Sequence, residues 1–234
     1  LGARAGLGGG GFVHAVQNGA VSVSQATEYG AAYSCAEIAE IAAIAHGHGM
    51  AVHMDGTRFA NALLRLGCTP AEMSWKAGVD VLCLGATKNG AMAAEAVILF
   101  DPARAWEFEL RRKRGGHLFS KMRFLAAQME AYLAGGLWLR LAGHANAMAD
   151  RLAAAIEAAP GARVLNAIGA NMVFAEITLG QHRRLAAEGA AYYPWPGGQD
   201  LEGPDDAALR VRLVCSHQTG EAEVDRFGAL LAAG

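Results

Sequence analysis

Charge of one sign, paired cysteines and long apolar runs are all missing from this 234-residue chain. Lys and Arg number 20 against 22 Asp and Glu, a formal net charge of -2, so no basic excess is present to attract nucleic-acid phosphates. No run approaches the roughly 20 apolar residues that a membrane-crossing helix needs. Cys35, Cys68, Cys83 and Cys215 stand far apart with no CxxC pair, which argues against a disulfide framework and fits a reduced, cytoplasmic protein. An initiator Met, a signal peptide pattern and a transit peptide pattern are absent as well; opening on Leu-Gly-Ala-Arg, the chain reads as cut rather than complete. What it has in quantity is apolar side chains, 53% of the total. That fraction excludes intrinsic disorder and suffices for the core of one large domain or two small ones.

The first eleven residues hold six Gly and read as a flexible loop; a dinucleotide-binding loop there would need a preceding strand and a downstream acid, and both are missing. After it, 20–24 alternates like a strand, and Ser34-Cys-Ala-Glu37 has the form of a capping box opening a helix with Ile38, Ile41 and Ala45 on one face and Gly47 at its end. A buried strand is expected over 50–55 and a helix over about 57–66 stopped by Gly67. Another helix is expected from Thr69-Pro70-Ala-Glu72, then strands over 79–84 and 96–100, and a helix capped by Asp101-Pro102. Strands alternating with helices at this spacing predict an α/β fold, a mostly parallel sheet with helices on both faces.

The pattern changes after Gly115-Gly116. Residues 120–159 read as Ala/Leu-rich helices broken at Gly135-Gly136 and stopped at Pro160-Gly161. Short strands follow over 163–166, 171–178, 192–194 and 208–216, with a helix near 181–188. The expected organisation is a large α/β domain over 1–116, connecting helices over 117–143 and a smaller α+β domain over 144–234.

Only four of the basic residues are Lys: Lys76, Lys88, Lys113 and Lys121. Lys88 is distinctive, because Gly85-Ala-Thr-Lys-Asn-Gly90 places it just past an apolar strand, where ligands sit in open α/β sheets. Desolvation at such a strand mouth favours the neutral amine that Schiff-base chemistry requires. Asp55, in His53-Met-Asp-Gly-Thr-Arg58, stands at another strand tip, where a carboxylate can hold a pyridinium nitrogen protonated; Arg58 follows three residues on. By themselves Asp55 reads as a helix cap, Arg58 as a solvated helix residue and His53 as a packed histidine. His46-Gly-His48 sits at a helix C terminus, where His complements the dipole, and no metal site is expected. Arg111-Arg-Lys-Arg114 lacks aromatic interleaving and reads as a solvated or subunit-interface face.

His53-Met-Asp-Gly-Thr-Arg-Phe-Ala-Asn-Ala62, Gly85-Ala-Thr-Lys-Asn-Gly-Ala-Met92 and Arg112-Lys-Arg-Gly-Gly-His-Leu-Phe-Ser-Lys-Met-Arg-Phe-Leu-Ala-Ala127 resemble, in order and spacing, the low-specificity L-threonine aldolases within the beta-eliminating lyases. The resemblance runs from about Val21 to the C terminus. It implies the aspartate-aminotransferase type of fold and pyridoxal 5'-phosphate as cofactor, with Lys88 as its covalent anchor, Asp55 on the pyridine nitrogen and Arg58 on the phenolic oxygen. Arg212, in Arg212-Leu-Val-Cys-Ser-His217, matches the arginine that grips the substrate carboxylate. A bidentate guanidinium on a small-domain strand suits that task, and Arg210, on the same strand face, is its rival.

The activity so implied is retro-aldol cleavage of L-threonine, L-allo-threonine or a phenylserine-like β-hydroxy-α-amino acid to glycine and an aldehyde, in a homodimer or homotetramer. The alternatives are a related β-eliminating lyase and a truncated, non-catalytic remnant of the fold. The family's first phosphate site and its ring-stacking residue, usually His, are expected upstream of Leu1. Where the family has a phosphate-contacting Arg, this chain has Ser120 and Lys121.

Overall fold

The computed structural model describes residues 13, 14 and 16–233. The glycine-rich opening over 1–11 and the loop expected there lie outside the described residues.

A first sheet forms from β1 (Ala20–Ser24), β2 (Ala51–Gly56), β3 (Val81–Gly85) and β4 (Glu95–Leu99), in that spatial order. β1, β2 and β3 run parallel, and β4 returns antiparallel beside β3. The period of two sorts the side chains by face. Val23, Val52, Met54, Leu82 and Leu84 point into a core closed by Ile38, Ala42 and Ala45 of α1 (Cys35–Gly47) and by Phe59 and Leu63 of α2 (Phe59–Leu66). The opposite face carries Ser22, Ser24, His53, Asp55 and Cys83, all exposed or half-buried. Ser34 caps α1 as its local sequence predicts: its Oγ accepts from Glu37 N–H, and the Glu37 carboxylate accepts from Ser34 N–H at 2.8 Å.

The helix expected from Thr69 does not propagate. Thr69 and Glu72 do exchange capping-box hydrogen bonds, but Ser74 leaves the helical region at φ -124° and ψ -105°, and only a 3-10 turn over Trp75–Ala77 follows, closed by Gly78 at φ +89°. Asp101 caps a single 3-10 turn, Pro102–Arg104, which leads into α3 (Ala105–Arg114). Then come α4 (Met122–Leu133) and the 22-residue α5 (Leu137–Ala158), separated at Gly135 and Gly136, both in the left-handed region.

The second sheet is antiparallel, in the order β5-β6-β8-β7, from β5 (Arg163–Val164), β6 (Met172–Thr178), β7 (Tyr193–Pro194) and β8 (Ala208–Val214). α6 (Leu179–Ala187) follows β6 through the Thr178–Gln181 capping box. A C-terminal helix absent from the sequence reading, α7 (Glu221–Ala232), packs Val224 and Leu231 into the same core as Leu152 and Ile156 of α5. One side of α5 therefore serves the second core. The other meets α2, where Asn61 Nδ2 donates to Asn146 Oδ1 at 3.0 Å, Asn146 Nδ2 returns a bond to Asn61 O at 3.0 Å, and Arg65 Nη1 bonds Asp150 at 2.8 Å. Among the described residues no helix is long and apolar enough to cross a membrane.

Candidate active site

Two strand ends make the centre of the site, and two glycines let them approach. Asp55 is the penultimate residue of β2 and pairs with Cys83 of β3. A Cβ on Gly56 would lie 2.7 Å from Cys83 O, and one on Gly85 would lie 2.8 Å from Thr57 Cα. Only glycine fits at either position, so the turn after β2 and the turn after β3 are pressed together.

The Asp55 carboxylate is held by its own turn. Oδ1 accepts from Thr57 N–H at 2.9 Å and from Thr57 Oγ1 at 2.6 Å, an arrangement in which an Asp side chain closes over the backbone two residues on. Oδ2 has no bond to any described residue. Burial works to raise the carboxyl pKa, but the two Thr57 hydrogen bonds and the charges of His53 and Lys88 outweigh it and hold Asp55 below the usual aspartate value. It is an anion at neutral pH.

Lys88 sits shortly after β3, in a 3-10 turn over Thr87–Asn89. Asn89, buried, pins that turn by donating to Tyr132 Oη at 2.7 Å and to Trp138 O at 2.9 Å, while Thr87 Oγ1 accepts from Ala94 N–H at 3.1 Å. The Lys88 side chain is exposed and has no hydrogen bond or ion pair to the described residues. Among the described residues the strand mouth expected to desolvate it leaves it open. His53 lies across the same sheet face between Ser22 Oγ, 2.8 Å from Nδ1, and Cys83 Sγ, 3.3 Å from Nε2. Burial, and then the charges of Asp55 and Glu95, push the Cys83 thiol up, so it is no thiolate nucleophile.

Arg58 and Arg212 come from different sheets and meet here. Arg58 precedes α2, and its Nε donates to Asn171 Oδ1 at 3.1 Å. Burial, followed by the nearby charge of Arg212, draws its proton affinity below the ordinary arginine value, against the pull of Glu28 and Asp55. A guanidinium remains charged through such a shift. Arg212 on β8 has Nη2 at 3.4 Å from Met172 Sδ and a buried Nε with no acceptor. Its rival Arg210 is engaged elsewhere, with Glu176, which also takes Arg163 at 2.9 Å. Neither Arg58 nor Arg212 has a carboxylate within ion-pair distance among the described residues, so two adjacent cations stand without an anion. Lys121 lies just before α4, exposed. No cluster of three or more His, Cys, Asp or Glu among the described residues could hold a metal ion, and His46 pairs with Asp80 at 2.9 Å.

Thr57, Asn89 and Asn171 were not read from the sequence as parts of the site. Thr57 carried a usable signal, a hydroxyl two residues after a strand-end Asp; the two asparagines act across 43 and 113 residues and had none.

A strand-end carboxylate, a lysine in the neighbouring turn and two arginines without a carboxylate partner among the described residues thus stand together, and the chain belongs to the beta-eliminating lyase family, whose model matches residues 4–178. More narrowly, it is 39% identical over 217 residues to a low specificity L-threonine aldolase of Pseudomonas sp., covering 93% of this chain and 60% of that protein. A second such aldolase, from Pseudomonas aeruginosa, is 41% identical over 212 residues, covering 86% and 61%. The solved threonine aldolase of Leishmania major superposes with a TM-score of 0.83 at 29% identity, over 94% of this chain and 62% of that one. The chain thus has the threonine aldolase fold and spans about 60% of the length of these relatives.

Proposed function

We propose that this chain forms the lysine-bearing part of a pyridoxal 5'-phosphate enzyme that cleaves L-threonine, L-allo-threonine or a phenylserine-like amino acid to glycine and an aldehyde. The observation that carries the reading is Asp55, kept ionised by Thr57 with Oδ2 free, beside the turn that holds an unpartnered Lys88. That donor set fits the cofactor: Lys88 would hold its aldehyde carbon, Asp55 Oδ2 would accept the ring-nitrogen proton and Arg58 would face the phenolic oxygen. Bound there, pyridoxal phosphate supplies an electron sink for the pair released when the Cα–Cβ bond breaks.

The chain's own residues perform the remaining tasks. Asp55 would keep a proton on the ring nitrogen, because its lowered pKa leaves the carboxylate ionised and that negative charge favours the protonated ring. Thr57 keeps that carboxylate in one orientation, and Gly56 and Gly85 keep Asp55 and Lys88 on adjoining turns. Arg212 takes the substrate carboxylate, as the strand arginine not already spent on Glu176. The same reading assigns residues 1–116 to the cofactor domain, 117–143 to connecting helices and 144–234 to the small domain, in a cytoplasmic homodimer or homotetramer.

The test is uptake and product analysis. Purified protein given pyridoxal phosphate should gain a visible absorbance that Lys88→Ala lacks, and should release equal amounts of glycine and acetaldehyde from L-threonine. Ammonia and a keto acid as products would assign it instead to another β-eliminating reaction.

A further inference from the structure

The guanidinium of Arg212, which has no carboxylate partner among the described residues, lies over an aromatic ring. Its central carbon lies 5.5 Å from the ring centre of Trp195, and both Arg212 Nε and Trp195 Nε1 are buried with no acceptor. The segment that presents the indole continues β7 along the edge of β8 and is fastened there at one residue. Trp195 N–H donates to Arg210 O at 2.9 Å, Gln199 Nε2 donates to the same oxygen at 2.8 Å, and Gln199 Oε1 accepts from Arg210 N–H at 3.0 Å. Gln199 Nε2 also reaches Pro196 O at 2.9 Å, closing the loop on itself.

An arginine on a strand has four rotatable side-chain bonds, and a carboxylate is gripped by two parallel N–H bonds only when the fork is held in one plane. Among the described residues the fork has one acceptor, the weakly accepting Met172 Sδ at 3.4 Å from Nη2, and a single bond does not set that plane. The indole face does, because a ring attracts a cation over its face and a planar guanidinium stacks on it. Met172 Sδ then closes the Nη2 side.

We propose that Trp195 is a positioning residue for Arg212, its ring fixing the guanidinium plane in which an amino acid's carboxylate is received. The proposal rests on the reading in which Arg212 binds that carboxylate. It makes the Trp195–Gln199 segment a determinant of affinity for the carboxylate end of the substrate, with no part in the bond-breaking step.

The test is ligand binding to the holoenzyme, followed by the change in cofactor absorbance on titration with glycine and with 2-aminoethanol, which has the amine and lacks the carboxylate. Trp195→Leu should weaken glycine binding about tenfold, or about 1.4 kcal/mol, while Trp195→Phe, which keeps a ring, stays within about threefold of wild type. Binding of 2-aminoethanol and cofactor content should be unchanged in both, and in turnover KM for threonine should rise with kcat nearly constant. Glycine affinity unchanged in Trp195→Leu, a Phe variant as weak as the Leu variant, or parallel weakening of 2-aminoethanol would each overturn the proposal. Arg212→Ala separates the two levels: if it alone loses glycine, only the role of Trp195 falls; if it too binds glycine normally, the carboxylate reading of Arg212 falls with it.

Discussion

Arg58 Nε donates to Asn171 Oδ1 over 3.1 Å, and this bond ties the start of α2, beside the first sheet, to the residue just before β6 in the second. Asn171 is 5% exposed and is bonded on both sides: its Nδ2 donates to Cys215 O at 2.5 Å and its own carbonyl accepts from Cys215 N–H at 3.0 Å. Asn171→Ala would leave the buried Cys215 carbonyl and the half-buried Arg58 guanidinium each short of a partner. The expected cost is about 1–3 kcal/mol, seen as a lower urea midpoint with an unchanged slope. A wild-type midpoint would mean that the bond does not form in solution.

Gly56 and Gly47 should respond in opposite ways to alanine. At Gly56 the new methyl meets the Cys83 carbonyl at 2.7 Å, where nothing flexible can yield, and overpacking of about 1–3 kcal/mol is expected. Gly47, at the end of α1, has nothing within 4 Å of the added Cβ and no left-handed φ. Alanine there should be neutral or stabilise by up to about 1 kcal/mol. Thermal melting of the two variants side by side decides the matter.

Acid sensitivity should track Thr57. Asp55 has a lower carboxyl pKa folded than unfolded, so its contribution to stability is present above the unfolded value of about 3.9 and is lost as pH falls through the folded value. Thr57→Val deletes the 2.6 Å hydroxyl bond, which favours the charged form, and so moves the folded pKa upward. The acid limb of kcat/KM should begin at a higher pH than in wild type, with the alkaline limb unmoved. An unshifted acid limb would detach Asp55 from that profile.

The two arginines of β8 should separate cleanly. Arg212→Ala is expected to lower kcat/KM for threonine on the order of a hundredfold, as loss of a charge-assisted bidentate contact does. Arg210→Ala removes an exposed arginine, one of two on a half-buried Glu176 that keeps Arg163, and should change neither activity nor stability by more than about 0.5 kcal/mol. Equal losses in both variants would point to disturbance of the strand rather than of a carboxylate contact.

The legible parts of the molecule are those in which cause and effect are close in the chain. Ser34 and Glu37 cap one another three residues apart, and the alternation over 20–24 reports a sheet with one covered face. Asp55, Arg58 and Lys88 stand out in the sequence because they fall within short motifs, and the fold brings those motifs to the ends of adjoining strands. Thr69 and Glu72 show the limit of local signals: their hydrogen bonds form, yet the helix they announce is cut by the backbone of Ser74 five residues on. Asn171 and Trp195 have meaning only through residues brought to them by folding, and the C-terminal α7 was missed although Val224 and Leu231, seven residues apart, share its buried stripe.

The helix α5 fixes what insertions the chain can accept. Its 22 residues span about 33 Å, and each residue turns the helix by 100°. Asn146 and Asp150 must face α2 while Arg151 meets Asp225 of α7 on another side. One residue inserted between these points would rotate everything beyond it and carry β8, with Arg212, out of phase with Arg58. Length variation within the family should accordingly fall at the glycine breaks of 135–136 and 161, and leave the rod between them at constant length.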